Sequence, residues 1–280
     1  MPTYPSSEAL LQDAELRIDR YGADHGIIVV EGPDDKRLLC TKTVHQGQII
    51  TTGGKVFLLE AHRVAAERKI DSVVFLTDCD YEVGHGELSA QLNLIISKNA
   101  DIESDLLENG GFKRLVVELV AAALDSEEAA ESIAREVEDR SVAIAEVIGR
   151  LRIVARTHGF EIDTDIKYRK YRQRHTATVD EEKLIRTVIQ GSPDCAMKSE
   201  EVKEIVSKLP RHYHNCNGHD LVAATNHVLR DDYGVRNETP ESLERLLRTS
   251  TPKSVFEELD VARYLRRWEQ QHKRKILDTN

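Results

Sequence analysis

Four consecutive β-branched residues, Ile27-Ile28-Val29-Val30, lie between Gly26 and the Glu31-Gly32-Pro33 turn and constrain the fold more than any other stretch. Alternate side chains of a strand point to opposite faces, so a run without polar alternates is buried on both. That is the pattern of a central strand in a parallel sheet covered by helices on either side. Val73–Thr77 reads the same way, Ile49-Ile50-Thr51 is a weaker strand, and Leu92–Ile96 is a fourth. Helical spacing precedes the first strand from Ala9 to Tyr21, where Gly22 and Gly26 end it, and recurs from about Val56 to Lys69 behind Gly53-Gly54. Strand, helix, strand at this spacing implies right-handed crossovers, so the expected class is α/β with a Rossmann-like parallel-sheet core.

The texture changes after Asn99. From Asp101 to about Arg156 the chain reads as helices, broken at Asn109-Gly110-Gly111 and Asp125-Ser126. Later helices are expected at about Asp180–Ile189, Ser199–Lys208, His219–Leu229, Pro240–Leu247 and Pro252–Arg274. The corresponding division is residues 1–100 as the first part of the core, 101–156 as a helical insertion, 157–235 as the remainder of the core, and 236–280 as a C-terminal helical segment. Aromatic residues at 5% and charged ones at 31% suit solvated helices better than a β-sandwich.

The chemistry concentrates at the strand ends. Glu31 follows the first strand directly, and Gly32-Pro33 leads into a helix with Asp35 near its start. Asp78 and Asp80 follow the third strand, where residues two apart in extended chain face the same side and both can look toward Glu31. In an open parallel sheet this carboxyl edge is where ligands bind. Carboxylates gathered there repel one another until a divalent cation, which prefers oxygen ligands, neutralises them. Each acid alone has an ordinary explanation as a helix cap or a solvated group.

IIVVEGPDD and VVFLTDCD together resemble the Toprim superfamily, whose pattern is a Glu after the first strand and an Asp-x-Asp after a later one. Within it the chain is most similar to the overcoming-lysogenization-defect-like proteins, and among them to the AriB-like group found in bacterial phage defence. The likeness is carried by VVEGPDDKRLL, GGKVFLLEA, DCDYE with DIESDLL downstream, and CNGHDLV, between Ile27 and Val222. It implies a Toprim core with a largely helical insertion and C-terminal helices, and a magnesium-dependent endonuclease for which manganese is an alternative ion. The implied catalytic set is Glu31, Asp35, Asp78, Asp80 and Glu103, the first four as metal ligands. Asp34 is a neighbouring surrogate for Asp35, although the family spacing favours Asp35. Glu103 has a competing role, because acids in a first helical turn stabilise the helix dipole. The resemblance further implies a toxic effector that attacks host RNA, transfer RNA foremost, and is held silent by a partner ATPase of the ABC class. A solitary Toprim nuclease acting on DNA or RNA, and a non-catalytic metal-binding regulatory module, stay open beside it.

Other segments are weaker. Gly53-Gly54-Lys55 sets a lysine where it can meet a phosphate, but it lacks the P-loop pattern and is first of all a turn. IKYRKYRQRHT brings together Lys167, Arg169, Lys170, Arg172 and Arg174 with Tyr168 and Tyr171. It reads either as a backbone-binding patch with rings for stacking on bases or as a protected sheet edge. His212, His214, Cys216 and His219 crowd RHYHNCNGHD without zinc-finger spacing, so a turn capping a helix near His219 is the better account, with His219 as an accessory site residue on the family motif. The four cysteines are widely separated and form no C-x-x-C pair. Leu259, Leu265 and Trp268 form one apolar stripe of the last helix, a core or homodimer contact. A net charge of −10 argues against coating of nucleic acid over the whole surface. No apolar signal or membrane-spanning stretch is evident, so the expected location is the cytoplasm.

Overall fold

The β-branched run forms β1 (Ile27–Val30), every residue of it buried, in a computed structural model that describes residues 4–80, 93–120, 126–162, 170–171, 179–192, 194–210 and 213–278. It pairs in parallel with β2 (Ile49–Thr51) on one side and β3 (Val73–Thr77) on the other, and β3 pairs in parallel with β4 (Leu94–Ile96). The order is β2-β1-β3-β4. The chain leaves β1 toward β2 and then returns past β1 to reach β3, so its connections diverge between β1 and β3. Such a divergence opens a crevice at the carboxyl ends of the strands. The helices here are α1 (Ser7–Tyr21), α2 (Pro33–Leu39), α3 (Lys55–Glu67) and the short α4 (Ile102–Leu106). Leu10, Leu11 and Ala14 of α1 and Leu58, Ala61 and Ala65 of α3 cluster with Ile27, Val29, Val73 and Phe75 on one sheet face. Ile28, Val30, Val74 and Leu76 alternate with these and are equally buried, which is why neither strand alternates apolar with polar residues before Thr77 ends β3.

The chain forms two compact units, Met1–Asp105 with Thr251–Asn280, and Leu106–Ser250. The second contains α5 (Phe112–Val120), α6 (Glu127–His158), α7 (Glu181–Gly191), α8 (Ser199–Lys208), α9 (Gly218–Asp232) and α10 (Pro240–Ser250). The Asn109-Gly110-Gly111 break separates α4 from α5, with Gly110 left-handed at φ +81°. Ser126 starts α6 by accepting the Ala129 N–H, and left-handed Gly159 ends it. This 32-residue helix packs against α5, α8 and α9. Gly149 lies where it crosses the segment before α9, and a Cβ there would stand 1.5 Å from Asn215 O. The two units divide at 105/106 and 250/251.

The return to the sheet departs from expectation. One helix from Pro252 to Arg274 was expected, and two form: α11 (Lys253–Glu258) and α12 (Asp260–His272). Leu259 between them is extended, at φ −66° and ψ 146°, and its side chain is buried. No Gly or Pro marks this break; burial of Leu259 overrides local propensity. Leu265 and Trp268 are core residues. Trp268 lies over Gly26, where a Cβ would come within 2.6 Å of the indole, and its Nε1 donates to Asn93 Oδ1 at 2.8 Å. The tail then pairs with the sheet unit through Gly26 N–H to Lys275 O at 3.0 Å and Val44 N–H to Ile276 O at 2.8 Å. Among the described residues no helix is long and apolar enough to cross a membrane.

Candidate functional site

Glu31 and Asp78 meet at the crevice between β1 and β3 because the register places Val30 beside Leu76, so each strand delivers its next residues to the same edge. Glu31 Oε1 accepts the Thr77 hydroxyl at 2.5 Å and the Asp78 N–H at 2.9 Å. Gly53 N–H donates to Glu31 O at 2.9 Å, continuing the β1–β2 ladder and bringing the Gly53-Gly54 turn alongside. Pro33 at the first position of α2 needs no N–H partner, and Asp35 turns back so that its Oδ2 accepts the Gly32 N–H at 2.9 Å. From the end of β4, Asp101 caps α4 by accepting the Ser104 N–H at 2.8 Å, and Glu103 is buried in its first turn.

Asp80 is placed differently from the extended-chain expectation. The strand ends at Thr77, and Asp80 adopts φ +48°, so two-residue alternation does not govern it. Its N–H donates to Ala100 O at 2.9 Å, and its Oδ2 accepts from Lys55 Nζ at 3.1 Å. Lys55 Nζ also donates to Asp78 O at 2.7 Å. The lysine read as a turn residue with a phosphate-binding option therefore stands among the acids.

Electrostatics record the crowding. Burial, followed by the charges of Asp101, Asp35, Glu31 and Glu103, pushes the Asp78 carboxyl well above the ordinary range. Asp35 is pushed up to about 6, first by burial, against the Gly32 N–H that favours its anion, and then by Glu31, Asp34 and Asp101. Among the described residues no group of three or more His, Cys, Asp or Glu side chains stands gathered to hold an ion. Asp35 and Asp101 are instead each turned onto a nearby backbone N–H, and Glu31 onto the Thr77 hydroxyl and the Asp78 N–H. The donor chemistry nonetheless fits a hard divalent cation: the set is all oxygen. Among the described residues, moreover, Glu31 Oε2, Asp35 Oδ1 and both Asp78 carboxylate oxygens accept no hydrogen bond.

Glu31, Asp35 and Glu103 thus stand near enough to Asp78 for their charges to act on it, without forming a gathered metal-holding group among the described residues. Asp34 is half-buried and pairs with Arg37 at 2.6 Å, which leaves Asp35 as the inward acid. Sequence reading missed Asp101 and Thr77. An Asp before a helix carries only a capping signal, and a Thr ending a strand carries none beyond strand propensity. Lys167, Arg169, Arg172, Arg174 and Tyr168 lie outside the described residues, as does His212. Tyr171 is buried, and its carbonyl accepts the Asp180 N–H at 2.7 Å, so this ring is a packing residue rather than a stacking platform. Lys170 is exposed. His219 belongs to the second unit, where its Nδ1 meets Glu244 Oε1 at 2.5 Å, and Asn217 caps α9 by accepting the Asp220 N–H at 2.7 Å. Cys216 is buried beside that cap. Comparison with protein-family models and with curated proteins finds no match for the chain.

Proposed function

We propose that the chain is a Toprim-type nuclease that depends on a divalent metal and cuts phosphodiester bonds of nucleic acid. The observation that carries this reading is the charge that Glu31 and Asp101 bring to Asp78 and Asp35 beside the crevice between β1 and β3, where burial first, and then these neighbouring carboxylates, raise both groups. Glu31, Asp35 and Asp78 would hold magnesium or manganese, with Asp80 and Glu103 completing the set. A metal held there supplies positive charge to a phosphodiester whose oxygens gain negative charge in the transition state. Thr77 and the Asp78 N–H orient Glu31 by occupying one of its oxygens. Lys55, beside Asp78 and Asp80, is the side chain placed to meet a phosphate oxygen once the acids are neutralised. RNA is the substrate class we favour over DNA, on the likeness to the AriB-like group. The same likeness supports a toxic effector restrained by an ABC-class ATPase.

One observation favours a non-catalytic metal-binding module instead: Asp35 and Asp101 each cap a helix, as structural acids do. Incubating the purified chain with labelled transfer RNA, single-stranded DNA and plasmid, with and without magnesium, separates the readings. The nuclease reading expects cleavage that needs both magnesium and Glu31. Full activity in a folded Glu31→Ala variant, or none in the parent with magnesium and manganese, sinks it.

A further inference from the structure

A chain of buried hydrogen bonds lies behind the acidic crevice and joins the two loops that carry its acids. Cys79, between Asp78 and Asp80, donates its N–H to Ser97 Oγ at 2.9 Å. Ser97 Oγ donates to Asn99 O at 2.8 Å. Asn99 N–H donates to Asp105 Oδ1 at 2.8 Å, and Lys98 N–H to Asp105 Oδ2 at 3.1 Å. Asp80 N–H to Ala100 O, at 2.9 Å, closes the connection a second time. Ser97, Asn99 and Asp105 are 5%, 1% and 2% exposed. A hydroxyl that receives one N–H and passes on its own proton has its direction fixed from both sides. Both Asp105 oxygens are likewise engaged, so the loop from Lys98 to Ala100 is fastened to α4. Asp101 and Glu103 stand on the stretch that Asp105 holds.

We infer that Ser97 and Asp105 are positioning residues for the metal centre. They set the separation between the Asp78–Asp80 turn and the start of α4, and through it the affinity for a divalent cation. The inference rests on the metal-centre reading above. Groups that orient metal ligands without touching the metal are worth about 10- to 100-fold in metal affinity or activity.

Two variants of the full chain test it. Ser97→Ala removes the hydroxyl that links the loops. Asp105→Asn keeps one acceptor oxygen but turns an NH2 group toward a backbone N–H. Manganese binding is read by isothermal titration, thermal unfolding is followed in EDTA and in magnesium, and the magnesium concentration for half-maximal cleavage is measured. Both variants are expected to melt cooperatively in EDTA as the parent does. They should bind manganese about 10- to 100-fold more weakly and regain the parental cleavage rate at saturating magnesium. Unchanged manganese affinity in the folded variants overturns the inference, as does a lowered maximal rate at unchanged affinity. Variants that no longer melt cooperatively in EDTA would assign the pair to folding alone, which also overturns it. A parent chain that binds no manganese removes the metal centre itself, an outcome distinct from the others.

Discussion

Asp35 does two things with one carboxyl group: one oxygen caps α2 and the other adds charge to a crowded crevice. Its value of about 6 in the folded chain lies above the unfolded value of about 3.9. A raised carboxyl binds its proton more tightly when folded. Its contribution to stability is therefore full below the unfolded value and is lost as pH rises through the folded one. Asp35→Asn keeps an oxygen for the Gly32 N–H and discards the charge. In EDTA it should stabilise the chain by about 1–3 kcal/mol near pH 7.5 and by almost nothing near pH 4, measured by urea denaturation. An equal effect at both pH values would refute the charge account. The linkage also predicts that magnesium raises the melting temperature more at pH 7.5 than at pH 5, because the ion competes with the proton for these oxygens. At this scale the strand-end positions of Glu31 and Asp78 were legible, since they are written in the flanking apolar runs, whereas Glu103 entered only through the family resemblance. Sequence reading could not place Asp80, whose left-handed backbone follows from the Ala100 and Lys55 contacts rather than from local pattern. Asp101 was hidden because a cap and a charge contributor look alike in one dimension.

The elements were legible where period and punctuation agree. All four residues of β1 and the first four of β3 carry the run that a doubly covered strand needs, and Ser126, legible as a break, caps α6, whereas the Ser6 cap of α1 was not read. The break at Leu259 was not legible, because it depends on where a buried leucine finds its pocket. Close approach between elements is equally invisible in one dimension, and Gly149 and Gly191 make it measurable. Gly149→Ala would push a methyl group to 1.5 Å from Asn215 O, so α6 or its neighbour must shift, at a cost of about 3 kcal/mol or more. Gly191, the last residue of α7, has no atom of a described residue within 4 Å of an added Cβ. Gly191→Ala should be neutral or stabilising by up to about 1 kcal/mol. Chemical denaturation of both variants checks the contrast, and similar losses in the two would contradict it.

On the scale of the whole chain, the sheet unit is assembled from two distant stretches, 1–105 and 251–280. The second stretch brings Trp268 onto Gly26 and the tail onto the loops before β1 and β2. Ending the chain at Ser250 should therefore abolish cooperative melting of the sheet unit, monitored by near-ultraviolet circular dichroism. Retention of that transition would show the return stretch to be dispensable. This discontinuity could not be read from sequence, where residues 236–280 look like one run of amphipathic helices. On the proposed function, a net charge of −10 would leave nucleic-acid binding to local basic groups and to a neutralised acidic crevice, so that metal and substrate should depend on each other. The most direct test of the central claim follows cleavage of labelled transfer RNA by the parent, Glu31→Ala and Asp78→Asn chains as magnesium is titrated from EDTA. The account predicts cleavage by the parent that rises with magnesium and its loss by at least about 100-fold in both folded variants. Cleavage that survives either substitution, or that proceeds equally in EDTA, would contradict it.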